Sequence, residues 1–341
     1  MLLINPIFSD HMVMAFSKPI RISGRSNLDV SVSFNGTSKT ITPINDEWEV
    51  IFPAQECGGP YELIISNKEE SFTFKDIYVG LVLLMAGQSN QQFKFKEGKD
   101  EYNEYSSNDR VRLFSTNRPT FFDGDIEPFR ASDGWKILRK EDIPNWPSIS
   151  YQVSRLISEK NKDIHIGIVT CYEGASVIEA WIPEGLLAKN NLDLPLEDKH
   201  PDHSDKFYRI WNRDGLLYDT VFSQCKVICY NAICYYQGES DTSIKEGEIY
   251  DKELALLASA FREDTKDMST PFIIVEIANL DVRADKGWEG IQLAQERASK
   301  IIPNSYLVDA RDVCDSSSIH PQRKKLLSTR IASLIINIFN L

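Results

Sequence analysis

The chain has 341 residues, 42% hydrophobic and 26% charged, with 50 acidic against 38 basic side chains and a net charge of −12. That length holds one large domain with a smaller companion, in a composition ordinary for globular proteins. The acidic balance excludes a nucleic-acid partner, which requires a basic face, and no stretch approaches the roughly 20 apolar residues of a membrane span.

The chain opens on Met1-Leu-Leu-Ile-Asn-Pro-Ile-Phe8, which has no basic region, long apolar segment or small-residue cleavage site. A cytoplasmic protein with reduced thiols is therefore expected. Residues 1–75 read as all-β. Val30-Ser-Val-Ser-Phe34 alternates with period two and runs into Asn35-Gly36, a hairpin-turn signal. Further strands are expected at Thr40–Ile44, Trp48–Phe52, Tyr61–Ser66 and Ser71–Phe74, which together make a small sandwich of accessory function. From residue 76 to 341 strands alternate with helices. Strands are expected at Ile77–Met85, His165–Thr170, Ala232–Tyr236, Phe272–Ile277 and Ser305–Asp309. Helices are expected at Ser148–Asn161, Glu246–Asp264, Trp288–Ile301 and Arg323–Phe339. That alternation is the signature of a mostly parallel sheet in a three-layer α/β/α domain. Residues 184–222 form a polar, irregular excursion bordering the site, and Arg323-Lys324-Lys325 is read as a solvated helix start.

In open α/β sheets, ligands gather at the carboxyl ends of the strands. The apolar run Ile77–Ala86 stops there at Gly87-Gln-Ser-Asn90, so Ser89 serves either as a nucleophile or as a helix cap. Gln91 stands where the α/β-hydrolase elbow has its second glycine, which disfavours that fold. Of five histidines, only His320, in Asp315-Ser-Ser-Ser-Ile-His-Pro321, combines a loop position with the same sheet edge. Gln237 and Glu239 follow the strand Ala232–Tyr236. The first can offer amide hydrogens to an oxyanion, and the second can hold the Ser89 turn or be purely structural. Ser240 is a rival nucleophile beyond a glycine turn. The Gly174-Ala-Ser176 turn presents backbone N–H groups as further oxyanion donors or is a plain βα turn. His200-Pro-Asp-His203 is too sparse for a metal site, six cysteines include no Cys-x-x-Cys pair, and neither metal nor cofactor is expected.

These blocks together resemble the SGNH-hydrolase superfamily and, within it, the sialate O-acetylesterase family. Phe8-Ser-Asp-His-Met-Val-Met14 and Gly58-Gly-Pro-Tyr61 are similar to its N-terminal β domain, and Gly87-Gln-Ser-Asn90 to its nucleophile block. Gly174-Ala-Ser-Val-Ile-Glu-Ala-Trp181, Tyr235-Tyr-Gln-Gly-Glu-Ser-Asp241 and Ile319-His-Pro321 match later blocks in the family's order. The resemblance implies a metal-independent esterase in which Ser89 attacks an acetyl ester on a glycan, most of all on O-acetylated sialic acids, and His320 takes its proton. It places the oxyanion on the Ser89 amide, the Gly174 and Ala175 backbone and the Gln237 side chain, with Gln88 and Glu239 nearby. Acetylxylan or general short-acyl ester hydrolysis, or sugar binding without turnover, are the other readings. Three departures stand out. Ala175 replaces a glycine, Gln292 replaces an arginine, and Ser317 and Ser318 stand where an aspartate often precedes the histidine. Asp315, Asp312 or a backbone carbonyl then orients the imidazole.

Overall fold

The computed structural model describes residues 1–100, 106–117, 121–122, 125–126, 132–195, 199, 211–283, 286–313 and 317–341. Strands β1 (Leu2–Ile4), β2 (Val13–Ala15), β3 (Ile20–Ser26), β4 (Val30–Phe34), β5 (Thr37–Ile41), β6 (Glu47–Phe52) and β7 (Gly58–Ser66) lead into the 17-residue β8 (Ser71–Gly87). The order β1-β3-β6 makes one antiparallel sheet, while β5, β4 and β7 join the first half of β8. Val30, Val32 and Phe34 all turn inward, and the Phe34 ring meets Phe52 of the facing sheet at 6.0 Å between centroids. The period-two pattern thus builds the expected sandwich layers. Asn35 and Gly36, with φ of 45° and 74°, close the β4–β5 hairpin as the Asn-Gly pair predicts.

The two strands expected at Ser71–Phe74 and Ile77–Met85 are one. Tyr61 pairs with Ile77 and Leu63 with Phe74, so β8 carries an extra residue and bulges at the polar pair Lys75-Asp76, where Asp76 has φ of 59°. The sequence pattern breaks there, but the strand continues through position 75/76 into the second sheet.

That sheet has the order β12-β9-β13-β8-β14-β15-β16, with β9 (Asn108–Ser115), β12 (Trp135–Leu138), β13 (Ile166–Tyr172), β14 (Ala232–Tyr236), β15 (Phe272–Val275) and β16 (Ser305–Val308). The two-residue strands β10 (Phe121–Phe122) and β11 (Asp125–Ile126) pair with each other. Only the edge strand β12 runs antiparallel to its neighbour; the other pairs in this order are parallel. Central strands buried on both faces must be apolar throughout, as Leu81–Ala86 and all five residues of β14 are.

Among the described residues the helices are α1 (Ser89–Gln92), α2 (Ser148–Lys160), α3 (Leu186–Lys189), α4 (Leu216–Thr220), α5 (Ile244–Asp264), α6 (Lys286–Ile301) and α7 (Lys325–Phe339). Pairs α2/α7 and α5/α6 form the two outer layers. Helix α5 starts two residues earlier than its apolar periodicity indicates, because the Ser243 hydroxyl caps it by accepting from the Glu246 amide at 3.0 Å. Cys225 and Cys229 precede β14 instead of extending it, and the described cysteines are all free thiols. Among the described residues no helix is long and apolar enough to cross a membrane.

Candidate active site

Strand register sets the level of the site. Gly87, the last residue of β8, stands opposite Tyr172 at the end of β13 and Tyr236 at the end of β14. A Cβ on Gly87 would fall 2.0 Å from the Tyr236 carbonyl oxygen, and its φ is 137°, so only glycine fits this close approach. The Gln88 carbonyl then accepts from the amides of Gln91 and Gln92, opening α1 with Ser89 as its first residue. Ser89 does not cap this helix: the cap position is Gln88, without a side-chain capping bond. The Ser89 amide, the first of the helix, has no carbonyl one turn before it to donate to, which suits it to an oxyanion.

The Ser89 hydroxyl lies 2.8 Å from His320 Nε2. The histidine loop is held by Ser318, whose Oγ accepts from the His320 amide at 3.2 Å and donates to its carbonyl at 3.0 Å; Gln322 Nε2 donates to the same carbonyl. Burial, and then the positive charge of Lys324, push the imidazole pKa below its usual value against the opposing pull of Glu97. The ring is thereby kept in its neutral form, the form of a base. The other described histidines are committed elsewhere. His11 Nδ1 pairs with Asp76 at 2.7 Å, and His165 stacks on Tyr78 at 3.5 Å between centroids. His200, His203 and Asp315 lie outside the described residues. Asp312 is taken by Arg330, through contacts of 2.6 and 2.7 Å to its two carboxylate oxygens, and does not orient His320.

After β13, the turn at Gly174 stands over Ser89: a Cβ there would sit 3.7 Å from that of Ser89. Ala175 has φ of 55°, so the turn does require a left-handed residue where this chain carries alanine. Asn212, from the polar excursion, bridges the turn, donating to the Ala175 carbonyl and accepting from the Val177 amide, both at 3.0 Å. Asp241 Oδ1 accepts from the Ile178 amide at 2.9 Å.

Gln237 is fully buried, and its amide is spent inside the protein. Nε2 donates to the Ser176 carbonyl at 2.9 Å and to Asp241, while Oε1 accepts from Tyr250 at 2.7 Å. It braces the Gly174–Ile178 turn and has no hydrogen left for an oxyanion, which corrects the expectation from its strand-end position. Gln88 likewise faces inward, accepting from the Gly238 amide at 3.2 Å and donating to Ser240 at 3.3 Å. Gln292 donates to the Ile277 carbonyl and to Asn279, each at 2.9 Å.

Two further residues escaped sequence reasoning. Asn90 is buried beneath the pair; its Nδ2 donates to Glu239 and, at 3.0 Å, to the Ile319 carbonyl. Glu239 is therefore tied to the Ser89 turn through the Asn90 side chain. Lys324 is fully buried, donates to Asn90 Oδ1 and has its pKa pushed down to about 7 by burial. It is no part of a solvated basic run. Only its place four residues after His320, on the last turn before a helix, could have marked it.

A second buried polar group stands behind the turn. Lys199 contacts Glu253 at 2.6 Å, Glu179 at 2.8 Å and Glu246 at 3.9 Å. The three carboxyl groups lie close enough together to hold a cation, and the Lys199 ammonium fills that role.

A family model described as carbohydrate esterase, sialic acid-specific acetylesterase, matches residues 79–336. Sialate O-acetylesterases from Pongo abelii and Homo sapiens are each 23% identical over 322 residues, covering 84% of this chain and 59% of the relative. The chain thus spans about three-fifths of the length of these curated relatives. A solved carbohydrate acetylesterase from Xanthomonas citri shares the fold, with a TM-score of 0.83 at 22% identity, over 99% of this chain and 75% of that one.

Proposed function

The chain belongs to the carbohydrate esterase, sialic acid-specific acetylesterase family, and on that footing we propose that it is a serine esterase that removes O-acetyl groups from carbohydrate, with O-acetylated sialic acids as substrates. The observation that carries this reading is the 2.8 Å contact between Ser89 Oγ and His320 Nε2 at the carboxyl edge of the sheet. His320, neutral at the working pH, takes the Ser89 proton as Oγ attacks the acetyl carbonyl. The tetrahedral oxyanion rests on the Ser89 amide and on the backbone N–H groups of the Gly174–Ala175 turn. The imidazolium returns its proton to the leaving sugar hydroxyl, and water, activated by the same histidine, then hydrolyses the acetyl-enzyme. Ser89 and His320 are sufficient as a dyad in this scheme, with Asp315 as the residue that would extend it to a triad.

Acetate release from O-acetylated sialic acid, acetylated xylan and a simple aryl acetate tests the substrate assignment. The proposal expects kcat/KM to be highest for the sialic acid ester. A higher value for acetylated xylan would move the assignment to that polymer, and binding of acetylated sugars without acetate release would refute the enzyme reading.

A further inference from the structure

Beneath the Ser89–His320 pair lies a buried polar hub that takes no direct part in the reaction. Asn90 follows the nucleophile in the chain and donates to the carbonyl of Ile319, the residue before the base, at 3.0 Å. One amide thus hooks the histidine loop onto the nucleophile turn. An amide can face either way, and here its direction is set by Lys324, whose ammonium donates to Oδ1 and leaves Nδ2 for Ile319 and Glu239. Lys324 is fully buried, with Nζ 4.9 Å from the centroid of Phe93 and 5.9 Å from that of Tyr236. A lysine is rarely buried without a partner to offset its desolvation. Phe93 also packs against His320, at 5.9 Å between centroids, so the ammonium and the imidazole share one aromatic neighbour.

Resting on the Ser89–His320 reading above, we propose that Lys324 is a positioning residue of the catalytic pair. Its buried ammonium orients Asn90 so that the nucleophile turn and the histidine loop are clamped together, and it sets a positive charge beside the base. The charged groups facing His320 among the described residues are Lys324 and, opposing it, Glu97; those facing Lys324 are Glu239 and Asp100. Lys324 titrates near 7 and is therefore cationic below that pH, in the range where His320 takes up its proton. There the charge resists protonation of the base and extends activity toward acid. The centroid distances of 4.9 and 5.9 Å place Nζ no more than about 10.8 Å from the imidazole centre. At an effective dielectric of about 20, a unit charge at that distance shifts a titration by about one pH unit.

The test is the pH profile of kcat/KM for an aryl acetate in wild type, Lys324→Met and the double variant Lys324→Met/Glu239→Gln. The double variant removes the carboxylate that the single one leaves buried without its cation, and so guards against loss of folding. The inference expects the acid limb of Lys324→Met to move up by about one pH unit, that of the double variant, which loses a charge of each sign, to move less, and kcat of both to fall about 10-fold with KM little changed. A residue that only supports the fold would lower the amount of active enzyme and leave the limb in place. A Lys324→Met limb that coincides with wild type, or an undiminished kcat in the folded double variant, overturns the inference. Ser89→Ala, measured alongside, separates the two claims. If it abolishes turnover while the limb of the Lys324 variants stays put, only the role of Lys324 falls. If it retains wild-type turnover, the catalytic pair and the inference fall together.

Discussion

Lys199→Met removes the cation from among Glu179, Glu246 and Glu253, whose side chains are at most 6% exposed. In the native protein burial and the neighbouring carboxyl groups push Glu246 well above its ordinary value, which favours its neutral form. The lysine is left to offset charge on Glu179 and Glu253, at 2.8 and 2.6 Å. Taking away one partner of such a buried group leaves uncompensated charge and costs about 3–5 kcal/mol. The loss depends on pH in a defined direction. Carboxyl groups whose folded-state pKa is raised, as burial raises those of Glu246 and Glu253, destabilise as pH climbs from the unfolded value of 4.5 toward the folded one. The deficit of the variant is therefore larger at neutral pH and fades as pH falls toward 4.5. Urea unfolding followed by tryptophan fluorescence at pH 7 and at pH 5 measures it. A deficit below about 1 kcal/mol at pH 7, or one of equal size at both pH values, would refute this account of the cluster. Because Glu179 belongs to the segment that follows the Gly174–Ala175 turn, kcat should fall along with stability.

Two more substitutions probe the Gly174–Ala175 turn. Ala175→Gly relieves a left-handed alanine and should raise stability by up to about 1 kcal/mol with esterase activity kept; a loss of stability in urea unfolding would show that the turn does not need the positive φ. Gln237→Leu removes three buried hydrogen bonds and should lower stability by about 2–4 kcal/mol, with kcat falling as the turn relaxes. A fall in kcat at unchanged stability would instead restore Gln237 as a direct oxyanion donor.

The parts of the fold legible in the sequence were those in which burial and chemistry agree. Strand β14 carries five consecutive apolar residues, and its bounds follow from them. Strand β9 was missed because Arg112, which is 2% exposed, sits in its middle; it is satisfied by the carbonyls of His11 and Asp76 and by the Asp76 carboxylate, none of which is near it in sequence. The same holds at the site. The meeting of Ser89 and His320 is legible because each lies at the carboxyl edge of the expected sheet. Lys324 was not, since its neighbours Arg323 and Lys325 are ordinary surface cations and only the fold buries the residue between them. Gln237 was placed correctly at the strand end, but the direction of its amide depends on Asp241 and Tyr250, which a linear reading cannot orient.

The most direct test of the catalytic pair is the rate of acetate release by wild type and Ser89→Ala, both folded, at a pH where His320 is neutral. The account predicts a fall of about 10³-fold or more, since a nucleophile that acts as a unit with its base leaves only residual catalysis when removed. Equal rates in the two proteins would contradict it.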